Sequence, residues 1–348
     1  MATAFADLHQ EAGPAAPKAT DPPGPAAEAE TRGGEEHKPR RPGKLGLWLK
    51  SLLPPMIGIA AFLGLWAAFA PQVETSLGAL PGPVEVAGQG VALYGEWSAA
   101  SESKAQFYAE QTARNEAAIV AGNAGAVQDF AYSGAPTFLD QILTSLKTVA
   151  LGFLLATLAA VPIGLVCGLS PLVNAAINPL VQIMKPVSPL AWLPIVTMVV
   201  SATVTSADPL LAKSFVISAI VVMLCSLWPT LINTAVGAAS IDKDLLNVGR
   251  VLRLGWFAKL TRLVLPSSLP YIFTGMRLSL GVGWMVLIAA EMLSQNPGLG
   301  KFVWDEFQNG SSQSLARIMF AVVVIGLIGF ALDRAMMGLQ ALASKNRI

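Results

Sequence analysis

From Ser51 to Ala70 the chain reads SLLPPMIGIAAFLGLWAAFA, without one charged side chain. As a helix, a run of about 20 residues is about 30 Å long, the thickness of a bilayer's hydrocarbon core. Uncharged runs of similar kind recur at Thr148–Leu169 and Ser214–Val236, and apolar stretches with few charges at Leu172–Val204, 271–293 and 315–337. A backbone in hydrocarbon must satisfy its own hydrogen bonds, so repeated runs of this length restrict the chain to a bundle of spanning helices. Composition agrees, since 13% of the residues are charged, against about 25% in soluble domains. The expected fold class is all-α integral membrane, with six transmembrane helices.

Basic residues set the expected orientation. The Lys and Arg of 38–44 stand directly before the first run and hold that flank in the cytoplasm. Ala68-Phe69-Ala70 resembles a signal-cleavage site, but the run begins far from the N-terminus, is long for a signal core and is followed at once by Pro71, so it reads as a retained anchor. Six crossings put both termini, the turn at Ser170-Pro171 and the basic segment 237–270 inside. They put 71–139, with seven acidic residues against Lys104 and Arg114, outside.

The organisation expected is therefore a disordered cytoplasmic tail at 1–44, poor in apolar residues, a first transmembrane helix at 45–70 and a periplasmic segment at 71–139. That segment carries a surface helix around 99–121. A core transmembrane domain follows at 140–340, and a short cytoplasmic tail at 341–348. Leu172–Val204 is too long for one straight crossing and holds Pro179, Pro186, Pro189 and Pro194, which predicts a kinked helix or an oblique helix followed by a span.

Several function classes are disfavoured. The two histidines, His9 and His37, precede every apolar run, so the hydrophobic body has no imidazole for catalysis or metal binding. No catalytic residue and no metal site is assigned. A net charge of +1 offers no case for nucleic acid. Cys167 and Cys225 lie in apolar surroundings and read as packing residues.

Segment 237–270 is long for a connection between spans. Ser240 or Asp242 is placed to cap a helix, Leu245, Leu246, Val248, Val251 and Leu252 recur at helical spacing, and the pattern breaks near Leu254-Gly255. A second amphipathic stretch, Trp256 to Leu265, is expected to end at Pro266. Two short helices with an apolar and a basic face suit docking to a partner. On these residues alone, an interfacial helix resting on anionic lipid fits as well.

This segment resembles the cytoplasmic EAA loop of ABC importer permeases, in which Glu-Ala-Ala, a glycine and Ile-x-Leu-Pro recur at fixed spacing. Anchored on Leu265-Pro266, the pattern sets Glu-Ala-Ala on Asn247, Val248 and Gly249, the glycine on Arg253 and the Ile on Leu263, with Arg250 between. MKPVSPLAWLPI (184–195), SLWPTLINTAVG (226–237), NVGRVLRL (247–254), LPSSLPYIFTGMRLSLGVGW (265–284), AAEML (289–293) and FVWDEF (302–307) are similar to permeases of nitrate importers, a branch related to bicarbonate, cyanate, taurine and sulfonate permeases. In that branch an Arg commonly replaces the loop glycine.

The resemblance implies a type I ABC importer permease fold in a bacterial inner membrane, with 237–270 as the ATPase-coupling loop. The implied partners are ABC ATPase subunits, a periplasmic or lipid-anchored substrate-binding protein, a second permease copy forming a homodimer, and membrane lipid. ATP and Mg are then used by the partner ATPase, and this chain binds no cofactor. Consistently, Gly298-Leu299-Gly300-Lys301 lacks the spacing of a phosphate-binding loop. Alternatives are a permease for bicarbonate, cyanate, taurine or an alkanesulfonate, or an ATP-independent secondary transporter. An intramembrane enzyme finds no paired carboxylates in the spans.

A charge at the centre of a span costs about 2.5–3.5 kcal/mol, so each one needs a placement. Nitrate is weakly hydrated, and its pathway calls for scattered positive potential and hydrogen-bond donors. Lys185, with Ser188 and Trp192 near one helix face, is the first pathway candidate, joined by Arg277 and by Arg317 at the outer end of span six. Snorkelling to headgroups is the competing reading for Lys185 and Arg277. Glu291 is expected to pair with a neighbour or face an outer vestibule. Trp48, Trp66, Tyr271 and Trp284 read as interfacial anchors or packing.

Overall fold

The computed structural model describes residues 44–75, 78–204, 212–311 and 313–345. The tail expected at 1–44 lies outside these but for Lys44, as do the last three residues of the tail expected at 341–348. The chain divides at Ile57–Gly58 into two units. Of the first, the helical turns from Lys44 to Ile57 are described, and all that follows concerns the second.

Helix α1 (Lys44–Phe69) contributes its C-terminal part, where Ile59, Phe62 and Leu65 are exposed, as on a helix whose solvent is lipid tails. A two-residue hairpin of β1 (Glu74–Thr75) and β2 (Gly78–Ala79) follows. Helix α2 (Pro83–Val120) is much longer than the stretch expected at 99–121. Pro83 starts it, and the Glu85 carboxylate accepts the Gly82 N–H at 3.1 Å. Gly90 lies under the Phe320 ring, where a Cβ would approach to 2.7 Å.

Helix α3 (Phe138–Leu169) begins ahead of the expected Thr148, because Thr137 and Asp140 form a reciprocal capping box. Ser170 ends it and accepts the Val173 N–H to cap α4 (Pro171–Met184), as the expected turn requires. Helix α5 (Pro189–Thr203) leaves α4 at 101° across the Pro186–Pro189 break. Then come α6 (Lys213–Ala239), α7 (Lys243–Val251) and α8 (Trp256–Lys259). A π-helical turn at Leu260–Val264 joins α8 to α9 (Leu265–Ser294), and α10 (Leu299–Asn309) and α11 (Ser314–Lys345) complete the chain.

The expected stop at Pro266 is overturned. Helix runs unbroken from Trp256 to Ser294. The wide turn at Leu260–Val264 shifts the hydrogen-bond register just where Pro266 would clash with a carbonyl one turn back, and the Ser268 hydroxyl donates to the Val264 carbonyl at 2.8 Å.

Among the described residues, five helices are long and apolar enough to cross a membrane, or six if the bent α4–α5 pair is one span. Helix α6 packs between α3 and α9 at the centre. The contact with α3 is a ladder of small residues at every fourth position, Gly152, Ala156, Ala160, Gly164 and Gly168. A Cβ on Gly164 would come within 2.8 Å of the Leu231 carbonyl, so the two backbones touch. Pro229 leaves the Cys225 carbonyl of α6 without its helical donor, and at the next rung the Ser279 hydroxyl of α9 is inserted. It accepts the Thr230 N–H at 3.0 Å and donates to the Ser226 carbonyl.

Candidate functional site

The strongest candidate surface is the end of the bundle where α7 and α8 join α6 to α9. The sequence folds there through local chemistry. Ser240 closes α6 by donating to the Gly237 carbonyl at 3.0 Å, and Asp242, one of the two expected caps, starts α7 by accepting the Asp244 N–H at 2.9 Å. Helix α7 ends in a Schellman turn, with the Leu254 N–H on the Gly249 carbonyl and the Arg253 N–H on the Arg250 carbonyl, both at 3.0 Å.

The turn places Arg253 at φ +48°, in the left-handed region that glycine adopts at least cost. Arg253 is the position onto which the loop glycine of the EAA pattern falls. The backbone thus explains a glycine there, and here an Arg carries the strain while its side chain stays exposed.

Inward, Gly249 lets α7 lie close against Leu263, whose Cδ1 would be 2.7 Å from an added Cβ. Ile241, Leu245, Leu260, Val264 and Leu265 pack with Leu165 and Ala238 to root this element in the bundle. Outward, Val248, Val251 (83% exposed), Leu252, Trp256 (67%) and Phe257 (71%) stand free. Asn247, Arg250, Arg253 and Arg262 are exposed around them, while Leu263, Leu265 and Pro266 are half-buried on the inner side. The result is an apolar patch with a basic rim, suited to a groove in a partner.

The pathway candidates are not brought together. Lys185 is the last helical residue beyond α4, and Ser188 caps α5 by accepting the Leu190 N–H at 3.3 Å. With a 101° bend between them, Lys185 does not share a helix face with Ser188 and the half-buried Trp192. The prolines turn the chain, which corrects that expectation.

Arg277 is occupied by Asp333 of α11. Arg317 lies between Glu96 of α2 and Glu306 of α10, with Nη1 3.1 Å from the Glu306 carboxylate. Both cations are thus spent on ties between helices.

Glu291, expected to pair with a neighbour or face an outer vestibule, is paired, but with uncharged groups that the sequence did not point to. It is fully buried near the end of α9, with no cation beside it among the described residues. Its carboxylate accepts the Ser145 hydroxyl at 2.8 Å, the Gly300 N–H at 3.0 Å and the Asn296 amide at 3.4 Å. The Leu299 N–H donates to Ser145 Oγ at 2.8 Å. Gly298-Leu299-Gly300 is thus the start of α10 wrapped around an acidic side chain, whose oxygens meet N–H groups at a helix N-terminus. A Cβ on Gly298 would collide with that carboxylate, a constraint the sequence carries only as two glycines.

Trp284 is a packing residue, buried with its indole N–H on the Ile325 carbonyl at 3.0 Å.

The sequence profile of the binding-protein-dependent transport system inner membrane component matches residues 160–344. The chain belongs to this family. The match takes in the end of α3 and everything from α4 to α11, including the exposed α7–α8 surface.

Among relatives of this inner membrane component, the nitrate import permease protein NrtB of Synechococcus elongatus is 39% identical over 194 residues, 56% of this chain and 66% of that protein. That of Leptolyngbya laminosa is 38% identical over 193 residues, 56% of this chain and 64% of that protein. The chain therefore spans just under two thirds of these two permeases. The bicarbonate transport system permease protein CmpB of Synechococcus elongatus is 33% identical over 310 residues, 88% of this chain and 95% of that protein. Family membership and the apolar helices make this a multi-pass inner membrane protein.

Proposed function

We propose that the chain is the permease subunit of an ATP-binding-cassette importer that moves nitrate into the cytoplasm, with nitrite as a second substrate. The identity to two nitrate import permeases, 39% and 38%, carries the substrate reading. The bicarbonate permease aligns over more of the chain at 33% identity, which makes bicarbonate the second reading. The chain itself catalyses no reaction, and ATP with Mg is hydrolysed by two copies of a separate ATPase.

In this reading the α7–α8 surface is the EAA loop and seats in the ATPase. Its exposed apolar patch with a basic rim supports that role. The fold is that of a type I importer permease with six crossings, counting α4–α5 as one. Both termini and the α7–α8 end are cytoplasmic, and α2 and α10 are periplasmic. A periplasmic or lipid-anchored binding protein delivers the anion, and a second copy of this chain completes the passage.

The test is uptake of labelled nitrate into proteoliposomes holding the chain, its ATPase and its binding protein. ATP-driven uptake that excess unlabelled bicarbonate fails to inhibit is expected. Uptake without the ATPase, or ATPase activity from the purified chain alone, would overturn the reading. Within the assembly, Arg250→Glu or Arg253→Glu should abolish uptake while the chain still inserts in the membrane.

A further inference from the structure

Helix α4 carries a polar stripe that no contact described above uses. Asn174, Asn178 and Gln182 recur at every fourth residue. Lys185, whose backbone is still helical at φ −54°, ψ −44°, continues the same face. All four side chains are exposed, and none hydrogen-bonds another side chain among the described residues.

The flanking faces of α4 are apolar. Ile177 and Val181 pack inward with Leu231 and Ala160, while Leu172, Leu180 and Ile183 are exposed. Asn174 and Asn178 edge a groove of about 350 Å³ between α4 and the ends of α3 and α6, whose other walls include Gly168, Ala235 and Ala239. Among the described residues no carboxylate lines the groove, and α4 contains none.

Primary amides are costly in hydrocarbon without a partner. A row of them ending in one cation offers N–H donors and a mild positive field, enough to attract a small anion without trapping it. We propose that Asn174, Asn178, Gln182 and Lys185 form one wall of the anion's passage at the α7–α8 end, with the amides donating to the anion's oxygens. This rests on the anion-importer reading above. It regroups Lys185 with residues N-terminal to it, away from Ser188 and Trp192.

The test uses the complete transporter in proteoliposomes. If the wild type takes up neither nitrate nor bicarbonate, the anion reading fails and the stripe fails with it. If the wild type transports, Asn178→Asp should lower uptake at least about tenfold through repulsion of the anion, while Asn178→Gln, which keeps the donor, stays close to wild type. A structural role would not separate the two.

Should the Asn178→Asp variant not fold, Asn178→Cys in a background lacking Cys167 and Cys225 replaces it. Reaction with a charged thiol reagent should block uptake, and nitrate should slow that reaction. Wild-type uptake by Asn178→Asp overturns the proposal. So does modification that nitrate does not slow, as expected of a headgroup-facing helix. Spontaneous disulfide formation between two copies of the Asn178→Cys chain without loss of transport also overturns it, in favour of a subunit contact.

Discussion

Arg277 of α9 and Asp333 of α11 are joined side by side, with Nε on one carboxylate oxygen and Nη2 on the other at 2.9 Å. Two charges that stand 56 positions apart in the sequence are one pair. In a bilayer each is tolerable because the other is there. The pair also decides that Arg277 is a tie between helices before it is anything else.

Neutralising either partner should therefore be worse than exchanging them. Arg277→Ala and Asp333→Ala are each expected to lower the melting temperature and yield of purified protein, and Arg277→Asp with Asp333→Arg should recover most of both. Equal behaviour of single and exchanged variants in a thermal melt would show that the pair holds nothing.

The Ser279 hydroxyl at the rung after Pro229 makes a sharper prediction. Ser279→Ala leaves the Thr230 N–H and the Ser226 carbonyl unpaired in the core, at a cost of about 1–3 kcal/mol. Adding Pro229→Ala restores the α6 ladder, so the double variant should be more stable than Ser279→Ala alone. Additive losses in denaturant titrations would contradict this.

At the other end of α9, Glu291→Ala deprives the Gly300 N–H, the Asn296 amide and the Ser145 hydroxyl of their acceptor. A loss of about 2–3 kcal/mol is expected, as for buried donors left without an acceptor. Amide hydrogen exchange should localise the loosening to α10. Gly298→Ala should produce the same local pattern, because its Cβ intrudes on the same carboxylate.

The left-handed turn predicts a gain. Arg253→Gly removes a strain of about 1–2 kcal/mol at φ +48° and, after the entropy glycine restores to the unfolded state, should stabilise the isolated chain by a net of about 0.5–1 kcal/mol. If the exposed guanidinium contacts the ATPase, the same variant should transport less while melting higher. A melt unchanged or lowered would refute the strain.

Much of the α7–α8 surface was legible from local signals. The Asp242 cap, the leucines at helical spacing and the break before Gly255 lie within a few residues of each other, and short-range geometry settles them. The stop at Pro266 was not legible, because a proline breaks a helix only if the register before it is regular, and the π turn is not. The split of Lys185 from Ser188 shows the converse: prolines were visible, but the 101° angle they produce depends on what α5 packs against.

By itself the sequence determined that this chain is a membrane helix bundle with a basic, amphipathic element between its fourth and fifth apolar runs, since run length and charge placement answer directly to bilayer thickness and charge cost. Tertiary structure alone decided the fate of the buried charges. Ser145 meets Glu291 across 146 positions and Arg317 meets Glu96 across 221. Such partners are chosen by which helices pack together, a matter of small-residue ladders and shape that no local pattern encodes.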